Sequence, residues 1–244
     1  MIEAAFWGGL GASALLLGAV LAFLFDIPKR VQGLILAFGA GTLIGAVAYE
    51  LVEEAINESM QSLDVAFGFA AGAIVLYLGS IGIDRLSPPG SDGLASRRDP
   101  RTSGLALVLG AVLDGIPESV VLGLSLVGGE GIGVAVLVAV FISNLPEGLS
   151  ASENLADAGL HKARILGLWI IVVIASATAA AFGFGVLGEM GPRVVVLLNS
   201  FAAGAILAML AESMIPEAYE EGGRAVGLAT TLGFAIAAAL SFQA

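Results

Sequence analysis

The chain has 244 residues, of which 58% are hydrophobic and 13% charged, and its mean hydropathy is +0.98. Soluble domains are about 45–50% apolar and about 25% charged, so this composition excludes an ordinary globular protein as well as a disordered chain. The formal net charge of −11 argues against nucleic acid as a partner. The absence of cysteine excludes disulfides and thiolate metal sites.

Apolar stretches long enough to cross a bilayer run through the whole chain. A membrane-spanning helix needs about 20 mostly apolar residues. Eight stretches qualify, at about 4–25, 31–52, 65–84, 103–127, 131–155, 163–188, 193–214 and 225–242. They predict an all-α integral membrane protein, a single transmembrane domain over residues 1–244. The longest polar stretch, about 85–102, is rich in Pro, Gly and Ser and is predicted to be a loop.

The basic residues indicate the orientation of these spans. Lys and Arg are more frequent in cytoplasmic loops. Alternate predicted loops carry nine basic residues: Lys29, Arg30, Arg85, Arg97, Arg98, Arg101, Lys162, Arg164 and Arg224. The opposite set carries only Arg193. With eight spans, this asymmetry predicts a multi-pass protein of the inner or plasma membrane, with both termini outside the cytoplasm and the 85–102 loop inside it.

Spans two and seven resemble each other. Aligned without gaps, Phe38 matches Phe201, Gly41 matches Gly204, and the acidic ends match at Glu54 and Glu217. By the predicted topology the two spans cross the membrane in opposite directions. Shared helix composition explains the matched alanines but explains the acidic ends less well. The pattern predicts an inverted repeat that relates helices 1–3 to helices 6–8, as in many transporters.

Polar residues lie near the middle of spans four and five. Asp114 and Glu118 are four residues apart and therefore share one helix face. Asn144 and Glu147 are three residues apart in the next span. A charge at the bilayer centre costs at least about 2.5–3.5 kcal/mol, and such residues are functional by default. Neither span contains Lys or Arg to form an ion pair, although protonated carboxyl groups are an alternative explanation.

Proline precedes the glutamate in both spans. Pro117 and Pro146 each remove a hydrogen-bond donor and loosen the carbonyl four residues earlier, at Leu113 and Ile142. Free carbonyls at membrane depth are tolerated only where they are buried in protein or line a cavity. Carbonyl, carboxylate and amide oxygens together form a set of ligands suited to a cation.

Further acidic residues lie toward the ends of the spans. Glu50, near the outer end of span two, and Glu212, near the inner end of span seven, are candidates for additional or vestibule ligands. Glu217 is interpreted mainly as a solvated residue of the membrane interface, and Glu153 likewise. His161, the only histidine, lies in a short basic loop and is interpreted as an interface residue.

At these motifs the chain resembles the ZIP family of divalent-metal transporters, as a divergent bacterial-type member. Residues 114–118, Asp-Gly-Ile-Pro-Glu, are similar to the family's His-Asn-x-Pro-Glu in span four. Residues 143–148, Ser-Asn-Leu-Pro-Glu-Gly, are similar to its span-five motif, in which His or Gln and then Asn or Asp precede x-Pro-Glu-Gly. The resemblance implies a 3+2+3 helix arrangement, with the metal ligands on helices 4 and 5.

The sequence also departs from the family pattern. Asp114 and Ser143 replace expected ligands, and span six has Ser176 where many members carry a glutamate. A single metal position formed by Asp114, Glu118, Asn144 and Glu147 is therefore expected, with water or Ser143 completing it. Oxygen ligands suit Mg²⁺, Ca²⁺ and Mn²⁺, whereas imidazole suits zinc. The family resemblance favours zinc, with Fe, Mn or Cd as alternatives.

These observations predict a transporter of a divalent cation, with no permanently bound cofactor and no enzymatic reaction. Its expected partners are the lipid bilayer and the metal ion. Small-residue runs such as residues 8–19 leave packing within one monomer and a homodimer as alternatives. The main alternative function is a metal sensor or degenerate transporter without flux. An intramembrane hydrolase and a transporter of an organic cation find less support in the sequence.

Overall fold

A computed structural model describes residues 1–53, 56, 62–85, 104–127 and 132–242. Within these ranges the chain is helical and contains no strand, which confirms the all-α prediction. Of the predicted loop at 85–102, only Arg85 belongs to the described residues, and the remainder lies outside them. Glu54, used in the repeat alignment, also lies outside them.

The helices follow the predicted apolar stretches in chain order. They are α1 (Ile2–Leu24), α2 (Lys29–Ala46), α3 (Ser62–Asp84), α4 (Gly104–Leu124), α5 (Val134–Asp157), α6 (Lys162–Phe182), α7 (Pro192–Met209), α8 (Ile215–Gly222) and α9 (Val226–Ser241). Helix α2 continues as a π-helix through Val47–Val52, and α7 continues as one through Leu210–Met214. Helix α6 continues as a π-helix at Gly183–Leu187 and a 3₁₀ turn at Gly188–Met190.

Six helical segments among the described residues are long and apolar enough to cross a membrane. They are Ile2–Leu24, Lys29–Val52, Leu63–Ile83, Val134–Asp157, Lys162–Met190 and Pro192–Ser241. The last is a run of 50 residues that includes α7, α8 and α9. It is interrupted at Gly223, whose φ of 65° lies in the region that favours glycine. The count of eight spans, the 3+2+3 arrangement and the inverted repeat stay predictions.

The helices pack into two groups. The α5 group contains α1, α4, α5 and α6, in which α1 packs against α5 and α6, and α4 packs against α6. The α7 group contains α2, α3, α7, α8 and α9, in which α2 packs against α8 and α9, and α3 packs against α7. The two groups meet where α2 lies against α5 and α4 lies against α7.

Glycines allow the backbones to approach closely inside each group. Between α1 and α5, a Cβ on Gly148 would collide with the backbone of Leu15, and one on Gly18 would collide with the carbonyl oxygen of Leu145. Small residues at helix interfaces permit this contact in membrane proteins, where packing rather than the hydrophobic effect drives helix association. The reciprocal pair therefore fixes α5, with its polar motif, firmly against α1.

Candidate functional site

Helix α4 supplies two buried carboxylates to the middle of the molecule. Asp114 is 6% exposed and Glu118 is 3% exposed, and their spacing of one turn places both on the same helix face. Pro117 lies inside the helix between them. The sequence from 104 to 157 contains no Lys or Arg, so the charges of these carboxylates are not neutralised by a basic residue of α4 or α5.

Helix α5 presents a polar stripe to the same cavity. Ser143, Glu147, Ser150 and Asn154 line it, and their spacing of three to four residues repeats along one helix face. The Ser143 hydroxyl donates to the carbonyl oxygen of Val140 at 3.0 Å, so the lone pairs of its oxygen stay available to accept. The structure therefore brings Asp114, Glu118, Ser143 and Glu147 together in one cavity, as their predicted roles require.

Asn144 occupies a different place from the other predicted ligands. Its side chain is 5% exposed, and its Nδ2 donates to the carbonyl oxygen of Gly11 on α1 at 3.2 Å. It is not among the residues that line the cavity. In this conformation Asn144 therefore links α5 to α1, and its role as a metal ligand stays a prediction.

The opposite wall of the cavity belongs to the α7 group. Leu36 of α2 and Met209 of α7 contribute apolar surface, while Ser213, Met214 and Glu217 follow from the π-helix and α8. Glu217 accepts a hydrogen bond from the Ser150 hydroxyl at 3.0 Å, which joins α8 to α5. The sequence predicts Glu217 to be mainly an interface residue, although it directly follows Ile215 and Pro216, as Glu118 and Glu147 each follow a proline in spans four and five.

Trp169 of α6 closes one side of the cavity. It is 2% exposed, and its Nε1 donates to the Ser152 hydroxyl of α5 at 2.8 Å. The hydrogen bond satisfies the polar end of a large aromatic side chain in an otherwise apolar cluster. No local feature of the sequence places Trp169 next to the carboxylates, because this position results from packing between different helices.

The two predicted vestibule residues lie elsewhere in the described structure. Glu50, in the π-helix after α2, is partly exposed, and its Oε2 is 3.5 Å from the position that a Cβ on Gly133 would occupy. Glu212 is exposed. Neither residue is among those that line the cavity. The acidic residue that the α7 group contributes there is Glu217.

The chemistry of the cavity is that of an oxygen-rich, negatively charged site. Glu118 lies close enough to Asp114 and Glu147 for their charges to repel its own. Among the described residues, no three His, Cys, Asp or Glu side chains already converge on one point. Serine hydroxyls, the Asn154 amide and water are the further oxygen ligands that could complete coordination around the carboxylates.

Comparison with known proteins identifies one similar protein that carries the name of a metal transporter. No family model matches the chain. The chain is similar to a protein of Arabidopsis thaliana that carries the name "Putative zinc transporter", with 27% identity over 234 residues. The match covers 94% of this chain but only 37% of the relative, so the chain spans little more than a third of that protein's length. Together with the six apolar helical segments, this similarity supports a multi-pass integral membrane protein, and it agrees with the family resemblance of the motifs in spans four and five.

Proposed function

We propose that this chain transports a divalent metal cation across a membrane through the cavity between the α5 and α7 groups. One observation carries the proposal: Asp114, Glu118 and Glu147 line a single cavity, and the two helices that bear them contain no Lys or Arg between residues 104 and 157. Buried charges are retained when they are paired or when they coordinate a metal. A divalent cation that enters the cavity would be coordinated by these carboxylate oxygens.

The preferred ion is proposed to be zinc, with Mn²⁺, Fe²⁺ and Cd²⁺ as competitors. The name of the Arabidopsis relative favours zinc, and divalent zinc binds a common site more tightly than manganese or iron does. The cavity itself offers oxygen ligands, which favour harder ions. His161 is exposed at the N-terminus of α6, where its side chain accepts from the backbone N–H of Ala163, so it does not supply imidazole to the cavity.

We propose eight membrane crossings with both termini outside the cytoplasm. The 50-residue segment Pro192–Ser241 would be about 75 Å long at 1.5 Å per residue, more than twice the roughly 30 Å core of a bilayer. The turn at Gly223 supports two crossings within that segment. Helix α4 (Gly104–Leu124), with its two central carboxylates, supplies another, and the nine basic residues on alternate loops support the orientation.

Matched glycine contacts support the inverted repeat. Between α2 and α9, a Cβ on Gly41 would meet the carbonyl oxygen of Thr230, and one on Gly233 would meet that of Phe38. The positions aligned with Gly41 and Phe38 in the second repeat make the same two contacts between α7 and α3. These contacts pair Gly204 with Phe69 and Gly72 with Phe201.

The π-helices also support the repeat. Val47–Val52 follows α2 and Leu210–Met214 follows α7, and the two segments begin 163 residues apart, as do Phe38 and Phe201. A π-helix inside a long helix is rare and is frequent at functional sites. Two of them at equivalent positions favour a duplicated unit over a chance similarity of composition.

The packing suggests which parts move during transport. Most close glycine contacts lie inside the α5 group or inside the α7 group. Across the boundary, a Cβ on Gly39 of α2 would lie 2.9 Å from the Cα of Ser143 of α5, and the polar cavity lies beside this contact. Interfaces with direct backbone contact resist sliding because they are densely packed. We therefore propose that alternating access involves movement of the α5 group relative to the α7 group.

Uptake into liposomes tests the function. The purified protein is reconstituted with a metal-sensitive dye inside, and Zn²⁺, Mn²⁺, Fe²⁺ and Cd²⁺ are added in parallel to separate samples. Glu147→Gln is expected to abolish uptake because it removes a carboxylate from the cavity. Glu189→Gln is the matched control, because Glu189 is exposed and does not line the cavity.

The outcomes separate the proposed function from its alternative. Uptake by the wild type and by Glu189→Gln, but not by Glu147→Gln, supports transport through this cavity. Metal binding by folded protein without flux of any ion contradicts transport and supports a metal-binding sensor or degenerate transporter. Equal uptake by both variants would refute the assignment of the cavity.

A further inference from the structure

A polar cluster joins the two helix groups beside the cavity. It consists of Lys29 and Gln32 at the start of α2 and Glu153 near the end of α5, and we call it the α5 clasp. The Glu153 carboxylate accepts from Lys29 Nζ, and its other oxygen accepts from Gln32 Nε2 at 3.0 Å. Glu153 lies more than 120 positions from Lys29 and Gln32 along the chain, so the cluster depends on the folded arrangement.

Gln32 makes the clasp more than an exposed ion pair. It is 2% exposed, its Nε2 also donates to the carbonyl oxygen of Ile27 at 2.8 Å, and its Oε1 lies 3.5 Å from Lys29 Nζ. A buried amide with its partners satisfied is costly to leave unpaired, whereas a surface ion pair alone contributes little. The conformation in which Glu153 reaches Gln32 is therefore specifically favoured.

The clasp crosses the boundary along which we propose movement. Lys29 and Gln32 belong to the α7 group, and Glu153 belongs to the α5 group. One turn earlier on α5, Ser150 donates to Glu217 of the α7 group. Asn154, the residue after Glu153, lines the cavity. A displacement of one group along the other that exceeds the reach of these side chains breaks the contacts of Glu153 with α2.

A second ion pair provides a contrast inside one group. Arg193 of α7 donates to Asp64 of α3 through Nε at 2.9 Å and through a terminal nitrogen at 3.0 Å. Both helices belong to the α7 group and are joined by close glycine contacts. This pair has the same charges as the clasp but does not cross the boundary between the groups.

We propose that the α5 clasp holds the α5 group against the α7 group in the conformation described here and opens in every transport cycle. The proposal rests on the proposed transport function. Lys29, Gln32 and Glu153 are positioning residues in this scheme, since none of them lines the carboxylate cavity. Loss of the clasp should therefore change the rate of conformational exchange and leave the KM for the metal unchanged.

Crosslinking tests whether the clasp opens. The chain contains no cysteine, so Lys29→Cys with Glu153→Cys introduces the only two thiols. The pair is joined with bifunctional thiol reagents of several lengths that contain a cleavable disulfide, and metal uptake is measured before crosslinking, after it and after reduction. Asp64→Cys with Arg193→Cys is the matched control. The clasp pair is expected to stop uptake when crosslinked and to recover on reduction, whereas the control pair transports throughout.

Charge exchange provides a second measurement that does not depend on the cysteine variants. Lys29→Glu places two carboxylates together and is expected to lower the maximal rate of uptake without changing KM. Adding Glu153→Lys restores the pair and is expected to restore the rate. Loss without rescue would show that Lys29 acts in some other way and would contradict the clasp.

The remaining outcomes are distinguishable. If the unmodified chain transports and the crosslinked clasp pair transports equally well, the clasp proposal is overturned and the proposed function stands. If no reagent joins the clasp pair while the control pair is joined, the two residues are not neighbours and the clasp is overturned. If the unmodified, folded chain transports no metal, both proposals fail together.

Discussion

Replacing Glu118 by glutamine measures how much a buried carboxylate contributes to cation binding in the cavity. Glu118→Gln keeps the size of the side chain and removes a charge from a residue that is 3% exposed. Removing one member of a buried charge interaction costs about 2–5 kcal/mol of binding free energy. Each 1.4 kcal/mol changes Kd tenfold, so the Kd for the preferred divalent cation should rise by about 30- to 4,000-fold.

The same substitution weakens metal binding but should preserve or raise the stability of the metal-free protein. In the metal-free protein, the charge of Glu118 lies near those of Asp114 and Glu147. A neutral glutamine removes both this repulsion and the cost of burying the charge. We therefore expect the metal-free Glu118→Gln variant to have a Tm at or above that of the wild type, although it no longer gains stability when metal is added.

Isothermal titration and thermal unfolding in detergent measure both effects. Glu212→Gln is the control, because Glu212 is exposed and outside the cavity. Exposed substitutions change free energies by about 0.5 kcal/mol or less, so its Kd should stay within about twofold of the wild type. If Glu118→Gln binds metal as tightly as the wild type, or if Glu118→Gln and Glu212→Gln lose affinity equally, Glu118 does not bind the cation in this cavity.

Three further results are expected. Gly148→Ala should lower the free energy of unfolding by about 1–3 kcal/mol because its Cβ collides with the backbone of α1. The control Gly167→Ala should be neutral or slightly stabilising, because a Cβ on Gly167 would have no neighbouring atom within 4 Å. Equal losses of stability in detergent unfolding would contradict this packing. Trp169→Phe should cost about 1–3 kcal/mol because it leaves the buried Ser152 hydroxyl without its donor, and unchanged stability would show that the hydrogen bond contributes nothing. Saturating metal at about 100 times Kd should add about 2.7 kcal/mol to stability, and a Tm independent of metal concentration would argue against a specific site.

Local pattern accounts for the helices and for most of the carboxylate cavity. Apolar stretches of about 20 residues have to form helices in lipid because each backbone group must be satisfied internally. Asp114 with Glu118, and Ser143 with Glu147, share helix faces by spacing alone, and the structure places all four in one cavity. The helices and the shared helix faces depend on residues close together in the sequence, whereas the cavity itself also requires α4 and α5 to pack together.

Other features depend on contacts between residues far apart in the sequence, which local patterns do not predict. In span seven, depth within the span favoured Glu212 as a vestibule ligand over Glu217. The structure places Glu217, which follows the π-helix at Leu210–Met214, in the lining of the cavity, whereas Glu212 does not line it. Asn144 bonds to Gly11, and Glu153 to Gln32, across more than 120 residues of sequence. Such pairs are determined by which helices pack together.

Helix α5 carries both the cation motif and the contact that joins the two groups. Glu147 in the cavity and Glu153 in the clasp are six residues apart on one helix, about 9 Å along its axis. In the proposed transport cycle, an ion that binds at Glu147 would act on the same rigid helix that bears Glu153. Ion binding and opening of the clasp would then need no chain of intermediate residues, because both residues belong to one helix.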